Sequence, residues 1–192
     1  MLLGFSLVVT LAIIVLVILI AYFFTLYNSL VQVRVNVDTA WSNIDVLLKQ
    51  RHDELGKLLD ATKSYMSFES GLLQQITQLR GQTEAGGSGP ARIAAESALS
   101  TGLGRLFAVS ENYPQLRSSE SFQELEGTIN SLETEIAHRR EFYNAAVNVN
   151  NTRAAQFPDM IVAPVAGVVP RTLFSAPPSD LADVDVTAGL SR

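Results

Sequence analysis

His52 and His138 are the only histidines in the chain, and they pose the question of whether a metal or acid–base centre is encoded. A carboxylate-bridged helical metal site needs a Glu-x-x-His pair on each of two helices, because residues three apart share a face and can close on one ion. Glu135 and His138 supply one such pair, half of the motif, while the residue three before His52 is Lys49, whose charge repels a cation. With no second ligand at helical spacing, both histidines read as surface or bundle-edge residues. Asp38, Asp45, Asp53 and Glu54 alternate with Arg34, Lys49, Arg51 and Lys57, the pattern of a solvated helix face with intrahelical ion pairs. There is no glycine-rich phosphate loop, nucleophile elbow or dinucleotide fingerprint. The absence of cysteine removes thiolate nucleophiles, zinc–thiolate sites, iron–sulfur clusters and disulfides together. No residue is therefore assigned to catalysis, to a metal or to a cofactor.

The elements that carry these residues begin with an apolar segment. Leu2 to Leu26 has no charged side chain and is long enough to cross ~30 Å of hydrocarbon. Tyr22, Phe23, Phe24 and Tyr27 gather at its C-terminal end, where aromatic rings settle at the headgroup level. A cleaved signal peptide would show a basic start, a shorter apolar core and a small-residue cleavage site, none of which is present, so an uncleaved anchor is expected. Gly4-Phe5-Ser6-Leu7-Val8 resembles a pilin junction, but the basic leader and the following glutamate of pilins are missing: Val9 stands in the glutamate's place. A buried core helix is disfavoured because the segment is apolar on every face. No Lys or Arg precedes it, and Arg34, Lys49 and Arg51 follow, a bias that favours a cytoplasmic body on the bacterial inner membrane, with the opposite topology left open.

The segment passes without a proline into an amphipathic helix. Val33, Val37, Trp41, Ile44, Leu48, Leu55 and Leu59 recur at spacings of three, four and seven, which is one helical face. The reading is a nearly continuous rod of roughly 90 Å, from ~1.5 Å per residue. A break near Ser67 to Ser70 precedes a second apolar face at Phe68, Leu72, Ile76 and Leu79. Gly86-Gly87-Ser88-Gly89-Pro90 is a loop that hands Pro90 to the first turn of the next helix. That helix is expected from about Ala91 to Glu111, with Ile93, Leu99, Leu103, Leu106 and Phe107 inward, and with Gly102 and Gly104 either weakening it or letting it pack closely. A further helix starts near Ser121, which forms a capping box with Glu124, with Ser118 and Ser119 as rival caps. Its seam runs through Phe122, Leu125, Ile129, Leu132, Ile136, Arg140, Tyr143, Val147 and Asn150. Two long seams of matching period predict an antiparallel all-α bundle. The organisation is then an anchor over 1–27, a bundle over 28–156, and a proline-rich tail over 157–192 that is extended or disordered unless it lies on the bundle.

Several segments together resemble the LemA family of bacterial membrane proteins. They are Tyr27-Asn28-Ser29-Leu30-Val31; Val37-Asp38-x-Ala40-Trp41-Ser42-x-Ile44-Asp45-Val46-x-Leu48-x-x-Arg51; and Arg139-Arg140-x-Phe142-Tyr143-Asn144-x-Ala146-Val147, followed by Asn151 and Phe157-Pro158. Where the family usually carries an Ile-Pro-Asn-Leu kink, this chain has Leu55-Gly56-Lys57-Leu58, so the bend there is expected to be softer or absent. The resemblance implies one membrane anchor, a helical bundle, no established enzymatic activity, and packing roles for Asn28, Trp41, Asp45, Arg51, Tyr143, Asn144, Phe157 and Pro158. A branch of the family resembles proteins that help shape magnetosome membranes.

The net charge of −5 is spread along the chain with no basic run, so nucleic acid is not an expected partner. The expected partners are the lipid bilayer, further copies of the chain and other membrane proteins. Tyr27, Leu30, Val33, Val37 and Leu47 are the candidate contacts for a second copy. The reading is a membrane-anchored, non-catalytic helical scaffold or adaptor that self-associates, with a membrane-remodelling oligomer as the alternative.

Overall fold

The structure, a computed structural model, describes residues 2–84 and 89–174. Helix α1 is Leu2–Lys63, a 3-10 turn covers Ser67–Glu69, and α2 is Ser70–Thr83. Helices α3 (Pro90–Ser110), α4 (Pro114–Arg117), α5 (Glu120–Ala155) and α6 (Asp159–Val162) follow, with no strand among the described residues. All of the expected long helices are present. Leu55-Gly56-Lys57-Leu58 lies inside α1, where the missing proline leaves every backbone N–H free to bond within the helix. None of the most apolar eighteen-residue window of α1 is buried against protein, so its side chains have only the surrounding medium to meet. That is the arrangement of a membrane-crossing helix.

Pro90 takes the first helical position read for it, and the start of α5 differs by one residue from Ser121. Pro90 is itself the first residue of α3, where its fixed φ and absent N–H cost nothing. Helix α5 begins at Glu120, one residue before Ser121, so Ser119 precedes it. The α4 turn sets this start: the amide of Ser119 donates to the Leu116 carbonyl and the amide of Gln123 to that of Ser119. Gly102 is the glycine of α3 that packs closely, since a Cβ there would stand 3.4 Å from Ile76 Cγ1, whereas Gly104 faces open space.

The described residues divide into two compact units, 2–42 with 141–173, and 43–84 with 89–140 and Phe174. In the first, α1 and α5 run antiparallel: Arg153 donates to Ser29 Oγ at one level, and Trp41 meets Tyr143 at another. Leu30, Val33, Val37, Tyr143, Val147 and Asn150 are buried there. The stretch after α5 contributes to this interior, because Val162, Ala163, Ala166 and Val168 pack with Leu30 and are flanked by Leu26, Tyr27, Val31 and Ala154. Gly167 has φ +70°, a conformation open to glycine without strain. A Cβ there would lie 2.6 Å from Arg34 Nη1. The C-terminal stretch thus begins with α6 and a chain reversal, then runs without regular structure to Phe174; residues 175–192 of the expected tail lie outside the described residues.

In the second unit, Leu55, Leu58 and Leu59 of α1 pack with Met66, Ile76 of α2, Leu99, Leu103 and Leu106 of α3, Leu116 of α4, and Phe122 and Ile129 of α5. Fully burying a leucine or phenylalanine stabilises by roughly 1.5–3 kcal/mol, so this cluster is the main apolar contribution to holding the unit together.

Candidate functional site

Arg51 occupies the gap of seven between Leu48 and Leu55 on the α1 seam, and its side chain is fully buried. A charged group at an apolar seam position must find its partners inside the protein, because burying an unpaired charge costs several kcal/mol. Arg51 donates to Glu96 of α3 and Glu133 of α5, and through Nη1 to Ser100 Oγ at 2.8 Å. Arg92, one turn before Glu96 on α3, donates to Asp45 Oδ1 at 2.7 Å and to Glu96 at 3.4 Å. Asp45 also pairs with Lys49 at 3.0 Å. Arg140 reaches Ser100 Oγ at 3.3 Å and lies 4.9 Å over the Phe174 ring. Three arginines and three carboxylates from α1, α3 and α5, with Lys49 at the edge, therefore form one connected network in the second unit.

Burial pushes the Glu96 carboxyl above its ordinary range, against the pull of Arg51 and Arg92. Burial acts in the same direction on Asp45, but hydrogen bonds from Lys49 and Arg92, with their charges, outweigh it and hold that carboxyl below the ordinary range. Arg140 is lowered, first by burial and then by the charge of Arg51, with Glu133 and Glu96 opposing. The buried Nε groups of Arg51 and Arg140 have no acceptor among the described protein atoms. A network left partly unsatisfied costs stability, so apolar packing must offset it.

The network opens into a groove of about 540 Å³ lined in part by Asp45, Lys49, His52, Glu84, Arg92 and Glu96. His52 Nε2 lies 3.3 Å from Glu84, and Glu135 and His138 are exposed on α5. Among the described residues no group of three His, Asp or Glu stands together to hold a metal. Every carboxylate of the network is committed to an arginine, which is an arrangement for fixing helix positions.

The first unit holds the remaining family-motif residues. Trp41 is half-buried with its ring edge-on to Tyr143, centroids 5.6 Å apart. The Tyr143 hydroxyl donates to the Thr172 carbonyl at 3.1 Å. Asn150 Nδ2 donates to the Val169 carbonyl at 2.7 Å, and Asn151 both donates to the Arg171 carbonyl and accepts from its amide. Arg34 donates to the Ala166 carbonyl at 3.2 Å. The polar side chains of α1 and α5 thus satisfy the backbone of the stretch that follows α6. Asn144 and Pro158 are half-buried, and Asn28 and Phe157 are exposed.

Of the five residues assigned to contacts with a second copy, Leu30, Val33 and Val37 are buried within the chain, while Tyr27 and Leu47 are half-buried. The seam on this part of α1 is covered by the chain's own residues. Asp45 and Arg51 come together through Arg92 and Glu96, which belong to none of the motifs of the sequence. A signal for them exists: Arg92 and Glu96 are four apart and flank Ile93 on the inward face of α3, while Arg51 and Arg140 interrupt otherwise apolar seams.

A helix long and apolar enough to cross a membrane, joined to helical packing units with no strand among the described residues, defines a membrane-associated helical protein. The LemA family model matches residues 40–187, most of the chain, and the protein belongs to the LemA family. It is 26% identical over 179 residues to Magnetosome protein MamQ 2 of Paramagnetospirillum magneticum, covering 80% of this chain and 66% of that protein. Magnetosome protein MamQ of Magnetospirillum gryphiswaldense is 24% identical over 178 residues, covering 78% of this chain and 65% of that protein. Protein LemA of Metamycoplasma hominis is 26% identical over 163 residues, covering 83% and 74% respectively. The chain spans just under two thirds of the length of the magnetosome relatives.

Proposed function

We propose that this protein is a non-catalytic scaffold, anchored by α1 in the bacterial inner membrane with its body on the cytoplasmic side, that self-associates and presents its helical units to other membrane proteins. The observation that carries this reading is the continuity of α1 over Leu2–Lys63, which makes one helix both the membrane segment and a wall of each packing unit. The committed ion network supports it, since charges spent on helix positioning are not available as an acid–base pair. Leu30, Val33 and Val37 serve the chain's own packing, so a second copy meets the outer face of α1 in the first unit, where Val35 is exposed. Fixing every copy at one height in the bilayer lowers the entropy cost of such contacts.

Detergent-corrected mass and nanodisc-reconstituted mass test this. Oligomers are expected for the native chain and loss of oligomers for Val35→Glu with helical content unchanged. A monomer in several mild detergents and in nanodiscs would overturn self-association. The size separates a small scaffold from the second reading, a membrane-organising assembly, which requires a large closed particle.

A further inference from the structure

Phe157, Met160, Ile161 and Val165 are 78, 51, 65 and 68% exposed, four large apolar side chains within nine residues on the surface of the first unit. Such a density marks a surface that meets something apolar. Its position says what. Contacts along α1 order the C-terminal stretch by height: Arg171 reaches Asp38, Ala166 is bound by Arg34, and Arg153 reaches Ser29. Val162 and Ala163 pack in the cluster with Leu30, flanked by Leu26 and Tyr27. The segment 157–165 therefore sits at the end of the unit nearest the apolar part of α1, level with the last residues of Tyr22, Phe23, Phe24 and Tyr27, the aromatic group expected at the headgroups. Its only charge is Asp159, which is buried and paired with Arg153, so no unpaired ion opposes transfer from water. Pro158 and Pro164 add no backbone N–H to be desolvated.

We propose that residues 157–165 form a second membrane contact, an apolar foot that seats Phe157, Met160, Ile161 and Val165 in the phospholipid headgroup and upper acyl region beside the point where α1 leaves the bilayer. The occupant of this surface is lipid. The bilayer is already present at that height, whereas a protein partner would have to be positioned there separately. The foot has no basic cluster, so its contact is apolar and insensitive to anionic lipid, unlike a polybasic surface helix. It rests on the reading that α1 crosses the membrane, and the controls below keep the two apart.

The chain has no cysteine, so single spin labels can be placed cleanly on the full-length protein in phosphatidylcholine vesicles. Labels at Ile161→Cys and Val165→Cys are expected to collide freely with oxygen and poorly with a water-soluble nickel chelate. Leu16→Cys marks the hydrocarbon and Glu141→Cys the aqueous side of the same unit. If the foot labels match Glu141→Cys while Leu16→Cys is in lipid, the foot is in water and the proposal fails. If the labels are shielded from both reagents, with spectral broadening relieved by diluting with unlabelled protein, a second copy covers the surface and the proposal also fails. If Leu16→Cys is itself in water, the membrane-crossing reading fails, and the foot with it.

Discussion

Replacing Arg51 by alanine tests what the buried network contributes. Arg51 is 0% exposed and its partners Glu96 and Glu133 have side chains 3% and 24% exposed. Breaking a buried pair costs about 3–5 kcal/mol, because it strands the opposite charge. Nearly all of that falls on Glu96; Glu133 reaches water and adds less, roughly 1 kcal/mol or below. Arg92 still contacts Glu96, which relieves part of the loss. The expected destabilisation is about 4 kcal/mol, or roughly 8–16 °C in Tm for a chain of this size. The assay is urea unfolding followed by circular dichroism in mild detergent. Arg51→Ala should recover part of its loss as pH falls from neutral, because protonating the stranded Glu96 removes the buried charge. A companion variant with Arg51→Met, Glu96→Leu and Glu133→Gln removes the charges together and should lie much closer to the native stability. A loss below about 1 kcal/mol for Arg51→Ala, with no pH dependence, would be the behaviour of a surface pair and would refute the argument.

Gly167→Ala places a side chain at φ +70° and 2.6 Å from Arg34 Nη1; left-handed strain of roughly 1–2 kcal/mol and displacement of the Arg34 bond to Ala166 should together cost about 2–3 kcal/mol, measured by the same unfolding assay. The two carboxylates shifted in opposite senses give a signed pH test. The folded Asp45 is lowered, so its contribution is present above the ordinary carboxylate range and lost as pH falls through its lowered value. The folded Glu96 is raised, so its contribution is greatest in acid and lost as pH rises through its raised value. Relative to the native chain, Asp45→Asn should therefore fall behind and Glu96→Gln should gain as pH rises across the carboxylate range; stability curves with the same slope for both variants would refute the assignment.

The helices were legible because their signals are local and redundant. Apolar spacing marks α1 and α5, and Pro90 after a glycine-rich run marks the start of α3. The partnership of Arg51 with Glu96 was not legible, because the two lie 45 residues apart and an arginine among other charges on α1 has the same pattern as a solvated face. Only the fact that Arg51 completes the heptad step between Leu48 and Leu55 distinguishes it. Val33 and Val37 show the converse difficulty. An apolar stripe does not say whether its cover is a second copy or the same chain, and the residues that help close this unit, Val162 to Val168, follow α5 in a stretch whose prolines and glycine carry no helical period.

Helix α1 meets three environments in turn, and each has its own way of satisfying polar groups. In the membrane segment the helix bonds its backbone internally and offers no charged side chain, and the Thr25 hydroxyl donates to the Tyr22 carbonyl of the same helix, as hydrocarbon requires. In the first unit the apolar seam is bordered by Arg34, which together with Tyr143 and Asn150 of α5 donates to backbone carbonyls between Ala166 and Thr172. A stretch with little regular structure is thereby held without a ladder of its own. In the second unit the seam itself carries a charge, and satisfying Arg51 requires α3 and α5 at one register. An apolar core of leucines tolerates sliding by a turn, whereas Arg51 bonded to Glu96 and Glu133 does not. A buried network of this kind is often no more stabilising than an apolar isostere, and its expected contribution is to specify one arrangement of α1, α3 and α5. On the proposed scaffold reading a fixed arrangement of helices is the functional product, and the companion variant without the Arg51, Glu96 and Glu133 charges separates the two contributions. It should keep the stability of the second unit while broadening the distance distribution measured between spin labels on α3 and α5.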